Sequence, residues 1–348
     1  MTVTIKDIAK IAGVSHATVS RSLNDSPLVA EKTKKRIKEL ADNLGFEFNA
    51  NARSLSTNKT GTVCAIFPQK FGEFGASLYY ISLLNQLRTS LEEEGIDLIV
   101  SFPKSSKTGE SNIKRLIISK KVDGIIIIHP RLEKIDGQII NFMELSKIPY
   151  IFLHHYSSFY EENLADSIYT DHFYGGYNAT DYLIKLGHKK IMCITSVGNS
   201  YEFEQRLNGY KAALNQNNIP VDENLILFGY RDIASGYNLV RDNIKSITDK
   251  GVTAIFAHTD LMAIGAMEAL KEFNIKVPDD VSIVGYDDIE LAEDFKPALT
   301  TIHQPREEIA LLGCKRIVEM INGKKIKNKI NIVLQTRLVV RESTKQIK

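Results

Sequence analysis

Five side chains near the N-terminus have types and spacings suited to the recognition of DNA. They lie in the stretch IKDIAKIAGVSHATVSRSLN, on the polar side of a helical pattern: His16, Ala17, Thr18, Ser20 and Arg21. A guanidinium such as that of Arg21 can donate a fork of hydrogen bonds to guanine or to a phosphate. The chemistry indicated by this pattern is therefore the reading of base edges in a major groove.

No pattern in the sequence indicates catalysis or a bound metal. His154 and His155 are adjacent, whereas the two histidines of a helical metal site stand four residues apart. FGEFG falls short of a dinucleotide-binding fingerprint, no P-loop is present, and no serine or histidine stands in a nucleophile motif. The cysteines, Cys64, Cys193 and Cys314, are far apart, which favours reduced thiols. We expect no enzyme activity and no cofactor.

Two short helices joined by a tight turn would position the DNA-reading side chains. Ala9 lets the second helix lie close to the first, Gly13 tolerates the crowded backbone of the turn, and Ser15 is a good N-cap. An apolar seam is predicted along both helices: Ile5, Ile8, Ile11, Val14, Val19 and Leu23. In a helix-turn-helix, the start of the second helix meets the base edges. The alternative is a small helical hairpin that binds nothing.

A third helix is predicted from Val29 to Leu44, because one stripe of residues recurs at helical spacing. The stripe consists of Thr33, Ile37, Leu40, Ala41 and Leu44, and Gly45 is a natural stop. Residues 1–60 carry ten Lys/Arg and six Asp/Glu, whereas the remaining 288 carry 34 and 36. A basic head on a slightly acidic body suits a DNA-binding module attached to another domain.

From Gly61 onward, short apolar runs alternate with amphipathic segments of helical length, which predicts open α/β sheets. A first set has strands Thr62–Phe67, Ile96–Ser101, Asp123–Ile128 and Tyr150–Leu153, with helices Leu78–Glu94, Glu110–Lys121 and Asp136–Ser146. A second set has strands Ile191–Thr195, Leu225–Phe228, Thr253–Ala257 and Val281–Gly285, with helices Gly175–Leu186, Phe203–Asn215, Ala234–Ile247 and Leu261–Phe273. The tail adds extended Thr300–Ile302, a helix Gln304–Asn322 and one strand Ile330–Val340. Two such sets make two lobes, with a ligand cleft beyond the carboxyl ends of the strands.

Length and composition agree with a globular protein of two or three domains. The chain has 348 residues, of which 43% are hydrophobic and 25% charged. Its N-terminus, MTVTIKDIAK, has no signal-peptide core, and no apolar run approaches a membrane span. We expect a cytoplasmic protein with no membrane contact.

Motifs along the whole chain resemble the lactose/galactose repressor family of bacterial transcription regulators. They occur in family order: TIKDIAKIAGVSHATVSRSLN, NANARSLSTNKTGTVCAIFP, RLNGY, HTDLMAIGAMEAL, VSIVGYDD, LTTIHQP and RLVVREST. The resemblance implies a helix-turn-helix head at 1–45, a hinge linker at 46–60 and an effector-binding and dimerisation core at 61–348. The implied core resembles periplasmic binding proteins, with two parallel, doubly wound sheets. Its N-lobe spans about 61–160 and 303–324 and its C-lobe about 163–300 and 327–342, with three crossing strands as the hinge.

The resemblance also implies which residues contact DNA. The predicted set is Thr4, Lys6, Ser15, His16, Ala17, Thr18, Ser20, Arg21, Asn24, Arg53 and Leu55. His16 and Ala17 occupy the positions that select operator sequence, although His16 could instead touch only phosphate. In the family, the linker becomes a hinge helix on operator DNA, where a leucine at the position of Leu55 wedges into the minor groove. This chain has Phe48 where proline is frequent and Asn51 where an apolar residue is usual, so the linker could instead be a disordered tether.

Seven residues are implied as effector contacts: Phe74, Tyr79, His154, Arg206, Thr259, Asp260 and Asp287. Arg206 begins RLNG, where the family's arginine grips the effector, and Thr259 stands where asparagine is most common. Carboxylates, an arginine and aromatic faces together suit the adjacent hydroxyls of a sugar. Each acidic residue could instead cap a helix, and Asp260 is well placed to do so before LMAIGAMEAL.

The resemblance predicts a homodimer that binds two-fold symmetric operator DNA and responds to its effector through the hinged lobes. An inducer is expected rather than a corepressor. One alternative is a catabolite-control type regulator, governed by a protein partner that docks on the first lobe. Another is a solute-binding protein for transport, which would require export and would leave the head unexplained.

Overall fold

The computed structural model of the protein describes residues 3–46, 59–69, 77–128, 137–154, 165–198, 200–323 and 329–347. The chain divides into two compact units, Met1–Thr60 and Gly61–Lys348. Several predicted residues lie outside the described ranges: Phe48, Asn51, Arg53, Leu55 and Phe74. No helix within the described ranges is long and apolar enough to cross a bilayer.

The first unit contains a three-helix head. Its helices are α1 (Ile5–Ala12), α2 (His16–Leu23) and α3 (Glu31–Asn43). Its buried core consists of Ile8, Ala9, Val19, Ile37 and Ala41. Gly13 has a φ of 66°, the left-handed conformation that the turn was expected to need. Ile11 is 59% exposed, so its predicted place in the seam is wrong: at about 100° per residue it points away from the face that Ile8 and Ala12 share.

The second unit begins with a lobe built on a parallel sheet of six strands, in the order β11-β5-β4-β3-β1-β2. The strands are β1 (Thr62–Ile66), β2 (Asp97–Ser101), β3 (Gly124–Ile128), β4 (Tyr150–Leu153), β5 (Asp166–Thr170) and β11 (Asn331–Leu334). The helices of this part are α4 (Ser77–Glu93), α5 (Asn112–Ile118), α6 (Gly137–Ser146) and α13 (Arg306–Ile321). All five residues of β3 are buried, as its continuous apolar run GIIII predicts for a central parallel strand.

A second lobe is built on six strands in the order β12-β10-β9-β8-β6-β7, with β12 antiparallel to β10. The strands are β6 (Ile191–Ser196), β7 (Ile226–Gly229), β8 (Ala254–Ala257), β9 (Ser282–Asp287), β10 (Thr300–His303) and β12 (Arg337–Val339). The helices are α7 (His172–Lys185), α8 (Tyr201–Gln216), α9 (Ile233–Asp242), α10 (Ile244–Asp249), α11 (Asp260–Glu272) and α12 (Glu290–Asp294). A 3-10 turn spans Glu223–Leu225.

The chain passes between the lobes three times: from β5 to α7, from β10 to α13 and from β11 to β12. The first crossing lies later in the chain than residue 163, where the second lobe was predicted to start. The reason is strand β5, which was not predicted and which pairs with β4 in the first sheet. Asp166 and Ser167 are buried polar residues that hydrogen-bond to distant parts of the chain. Arg316 Nε donates to Asp166 Oδ2 at 2.6 Å, and Ser167 Oγ donates to Asn331 Oδ1 at 2.6 Å. Local hydrophobicity cannot reveal a strand buried in this way.

Two predicted elements are each split in two. The single strand Ile330–Val340 is wrong, because β11 belongs to the first sheet and β12 to the second. Apolar residues continue on both sides of the break, so hydrophobicity does not mark where the chain changes sheets. The predicted helix Ala234–Ile247 is interrupted at Asn243, whose Nδ2 donates to Leu239 O at 2.9 Å and ends α9.

Candidate functional site

The outer face of α2 exposes the predicted DNA-reading residues. His16, Ala17 and Arg21 are exposed, whereas Val19 and Ser22 on the opposite face are buried. Within the described part of the chain, no hydrogen bond or ion pair engages the Arg21 guanidinium. All of its donors are therefore available to a base or a phosphate.

Several other predicted DNA contacts also cap or brace helices. Thr4 Oγ1 accepts a hydrogen bond from Asp7 N at 3.4 Å, and Thr4 N donates to Asp7 Oδ2 at 2.9 Å, which forms a capping box on α1. Ser15 accepts from Thr18 N at 3.1 Å, so its predicted role as the N-cap of α2 is confirmed. These hydrogen bonds orient the side chains of Thr4 and Ser15. A phosphate that contacts either hydroxyl oxygen has to share that oxygen with the hydrogen bond that caps the helix.

Asn24 and Ser20 lie together at the end of α2. Asn24 Nδ2 donates to Ser20 O at 2.9 Å, while the Ser20 side chain is half-buried. Lys6, on α1, is exposed, as a residue that contacts phosphate without reading sequence should be.

A cavity of about 50 Å³ lies between the two lobes of the second unit. Tyr79 and Tyr80, on the first turn of α4, line it from the first lobe. The other lining residues are His172, Glu202, Phe203, Arg206, Arg231, Thr259, Asp287 and Gln304. Each of them stands at the carboxyl end of a strand or early in the segment that follows, which is where open α/β sheets bind ligands. The cavity therefore lies where the sequence predicted a cleft.

Arg206 is buried at this cavity, with only 4% of its surface exposed. Its Nη1 donates to His258 O, and its Nε lies 3.4 Å from His172 Nδ1. Its guanidinium carbon lies 3.7 Å from the centre of the Tyr286 ring, close enough for a cation–π contact. Arg206 is thus held by α7, by the residue that follows β8 and by β9.

Asp287 ends β9 with a φ of 117°, a strained conformation that is rare outside glycine. Gln304 Nε2 donates to Asp287 Oδ1 at 2.6 Å, and Arg306 Nη1 donates to its backbone oxygen at 2.9 Å. Burial raises the pKa of Asp287 to about 6, although Arg206 and Gln304 act in the opposite direction. Gln304 and Arg306 flank the second crossing, so the Asp287 side chain is tied to the hinge.

Two residues predicted as effector contacts do not line the cavity. Asp260 is fully buried, its Oδ2 accepts from Ile289 N at 2.9 Å, and its Oδ1 accepts from the Thr301 hydroxyl. Burial raises the pKa of the Asp260 carboxyl to about 7. The alternative that Asp260 caps α11 is wrong, since Thr259 is the N-cap of α11 and its hydroxyl accepts from Met262 N at 3.2 Å.

His154 is the second of these residues. It is 2% exposed, has a φ of 55°, and places its Nε2 3.0 Å from the Tyr79 hydroxyl. Because Tyr79 lines the cavity and His154 does not, His154 orients a lining residue instead of reaching the cavity itself.

Sequence reasoning missed six lining residues: Tyr80, His172, Glu202, Phe203, Arg231 and Gln304. Some carried a usable signal. Glu202 stands four residues before Arg206 on one helix, so the two share a face. Gln304 directly follows a strand end, and Arg231 follows another by two residues. Polar residues after each predicted parallel strand would have identified both.

Comparison with known proteins covers nearly the whole chain. Residues 4–49 match the model of bacterial regulatory proteins of the lacI family, and residues 180–344 match a periplasmic binding protein-like domain. The transcriptional repressor PurR of Vibrio campbellii is 33% identical over 344 residues, which cover 99% of each chain.

Two solved structures extend the comparison. The lac repressor dimer bound to operator and the anti-inducer ONPF superposes with a TM-score of 0.76 at 26% identity, covering 99% of this chain and 100% of that one. The complex of the transcriptional regulator CelR with cellobiose superposes with a TM-score of 0.68 at 28% identity, covering 98% and 99%.

Proposed function

The chain belongs to the lacI family of DNA-binding bacterial regulatory proteins, and we propose that a small effector bound between its lobes controls its affinity for operator DNA. The observation that carries the proposal is the cavity between the lobes, lined by two tyrosines from one lobe and by charged groups from the other. A ligand that contacts both sides binds the closed arrangement more tightly than the open one. It therefore shifts the equilibrium between them.

On the DNA side, α2 is the proposed reading helix. The Arg21 guanidinium donates paired hydrogen bonds to a guanine or a phosphate, and His16 and Ala17 select the neighbouring bases. Lys6, Thr4 and Ser20 contact phosphates and set the register of the head. Arg53 and Leu55 belong to the linker that pairs on the operator, where Leu55 enters the minor groove. The guanidinium of Arg21 is exposed and has no hydrogen bond or ion pair with any described residue, which supports its place at the centre of this surface.

The proposed effector is a sugar held by Arg206, Asp287 and Thr259, with Tyr79 closing from the first lobe. Their carboxylate, guanidinium and hydroxyl groups match the donors and acceptors of adjacent sugar hydroxyls. The space left among the side chains, about 50 Å³, is far below the roughly 300–1,000 Å³ of typical small-molecule sites. The lobes must therefore part before a sugar can enter.

A homodimer supplies the two heads that a two-fold operator requires. Exposed apolar side chains on one helix and two sheet edges support a partner surface: Leu78, Ile81, Val100 and Phe228 are 40–55% exposed. Effector binding changes the angle between the lobes and so changes the spacing of the paired linkers. We propose that the effector is an inducer that separates the linkers and releases the operator, in the cytoplasm where the DNA lies.

The test is a thermal-shift screen of sugars on the full-length protein, followed by operator gel shifts with every compound that stabilises it. We expect at least one sugar to raise the melting temperature and to lower operator affinity. If no small molecule does either, and operator affinity changes only when a protein is added, control by a protein partner replaces this proposal.

A further inference from the structure

The cavity contains a second arginine, which the family's motifs do not mark. Arg231 stands two residues beyond β7, and its Nε donates to Ser196 Oγ at 3.0 Å, at the end of the neighbouring strand β6. Its guanidinium carbon lies 4.3 Å from the centre of the Phe203 ring. The serine and the ring together fix the plane of the guanidinium, and the Nη edge is the part left for a ligand.

Within the described part of the chain, no protein group pairs with that edge. Among the described residues, no carboxylate oxygen lies within 4.0 Å of the Arg231 guanidinium, and its Nη nitrogens donate no hydrogen bond. Arg206 differs, since its Nη2 lies 3.6 Å from Asp287 Oδ1 and its other nitrogens have protein partners. The two arginines line the same cavity, but among the described residues only Arg206 has a carboxylate oxygen within 4.0 Å of its guanidinium.

The surroundings of Arg231 favour an additional negative charge. The Phe203 ring contacts both arginines, with its centre 4.7 Å from the guanidinium carbon of Arg206 and 4.3 Å from that of Arg231. Burial lowers the pKa of Arg231; Tyr80 and Glu202 raise it in part, the charge of Arg206 lowers it, and Asp287 raises it. A partly buried cation with no carboxylate in direct contact is costly, and a bound anion reduces that cost.

We propose that the effector is an acidic sugar whose oxyanion accepts paired hydrogen bonds from the Nη nitrogens of Arg231. A planar guanidinium matches a carboxylate or a phosphate in this bidentate way, whereas a neutral hydroxyl leaves its charge unbalanced. The inference rests on the proposed function, because it names the chemical class of effector for the same cleft. Arg206 and Asp287 then hold the hydroxyls, and Arg231 selects the acid.

Calorimetry with matched pairs of sugars tests the assignment on the full-length protein. Glucose is compared with glucuronate and galactose with galacturonate, while glucose 6-phosphate distinguishes a phosphate from a carboxylate. Each compound is titrated into the wild type, Arg231→Gln, Arg231→Lys and the control Arg241→Gln. Arg241 is a suitable control because it is an exposed arginine on α9, paired with Asp242 at 2.9 Å.

We expect an acid to bind the wild type about 10- to 100-fold more tightly than its neutral partner, the usual worth of a charge-assisted contact. Arg231→Gln should abolish that preference, Arg231→Lys should keep part of it, and Arg241→Gln should keep all of it. Equal affinity for acid and neutral sugar would overturn the inference, as would an acid preference that survives Arg231→Gln. In either case the proposed function stands if binding still changes operator affinity. If no compound binds and operator affinity never changes, both are overturned.

Discussion

Arg206 Nη2 lies 3.6 Å from Asp287 Oδ1, in a cleft where the two side chains are only 5% and 12% exposed. Charge-assisted hydrogen bonds between such groups are usually about 2.7–2.9 Å long. The pair is therefore an ion pair without a direct hydrogen bond, and burial raises the pKa of Asp287 in spite of the neighbouring guanidinium. The gap suits an effector hydroxyl, which can donate to Asp287 and accept from Arg206.

Separating this pair should destabilise the core. Arg206→Met and Asp287→Asn should each lower the free energy of unfolding by about 3–5 kcal/mol, because each leaves a buried charge without its partner. The double substitution should cost clearly less than the sum of the two. Urea unfolding of the four proteins measures this coupling, and strictly additive losses would show that the two side chains do not stabilise each other.

Two helices of the second lobe approach so closely that a methyl group does not fit between them. A Cβ added to Gly176 on α7 would lie 2.1 Å from Arg206 O on α8. Gly176→Ala should therefore lower the free energy of unfolding by about 1–3 kcal/mol through overpacking. It should also weaken effector binding, because it displaces Arg206.

Gly137→Ala is the matched control, since Gly137 begins α6 and no atom of the described residues lies within 4 Å of a Cβ added there. We expect this control to be as stable as the wild type or slightly more stable. A Gly176→Ala protein with wild-type stability and effector affinity would show that α7 and α8 can separate freely.

Sequence patterns located the central strands well and the crossings poorly. The continuous apolar run Gly124–Ile128 marks a strand buried on both faces, and it was placed within one residue. Asp166–Thr170 was missed, because Arg316 and Asn331, about 150 residues away in sequence, satisfy its buried polar groups. Periodicity reports which face of an element is buried, but not which sheet the element joins.

The cleft residues likewise divide into those that sequence motifs identify and those that only the structure reveals. Arg206 and Asp287 were identified through motifs, and the structure brings them together. Asp260 has an equally suitable side chain, but Thr301 and Ile289 already occupy its oxygens. Arg231 belongs to no motif, and only its place beside Ser196 and Phe203 reveals it. The type of a side chain indicates what it could bind, whereas its neighbours decide whether it is available.

A charged network beside the second crossing should make core stability depend on pH. His303 Nδ1 lies 2.8 Å from Asp288 Oδ2, and Arg341 Nη2 donates to Asp288 Oδ1 at 2.8 Å. Burial opposes ionisation of Asp288, but these two hydrogen bonds outweigh it and lower the Asp288 pKa to about 2. Burial also opposes the charge on His303, but Asp288 and Glu307 outweigh it and raise the His303 pKa.

The directions of these two pKa shifts define the pH range in which the network stabilises the core. The lowered pKa of Asp288 contributes stability above about pH 4, which is lost as pH falls towards 2. The raised pKa of His303 contributes stability below about pH 6.5, which is lost as pH rises through its folded value. His303→Asn should therefore lower the melting temperature of the core more at pH 5.5 than at pH 9. An equal loss at both values would exclude a charged His303 in the folded protein.

Arg21 should provide sequence preference on DNA. Arg21→Ala should weaken binding to the preferred operator by about 1–3 kcal/mol, because a bidentate base contact is lost. Binding to a scrambled duplex should change much less. Lys35→Ala, which removes an exposed cation from α3, should leave the ratio of the two affinities unchanged. Gel-shift titrations at fixed salt measure both ratios, and an unchanged ratio for Arg21→Ala would remove Arg21 from the reading surface.

The coupling between the effector and the operator is tested most directly by measuring it in both directions. In the first experiment, the full-length protein is titrated with a two-fold symmetric duplex that it selects, with and without the panel sugar that stabilises it most. In the second, the protein is titrated with that sugar, with and without the duplex. Thermodynamic linkage requires the sugar to change operator affinity by the same factor by which the duplex changes sugar affinity. We expect this factor to be about 5- to 150-fold, with each ligand weakening the binding of the other. Operator affinity that stays the same at saturating sugar would contradict control of DNA binding from the cleft.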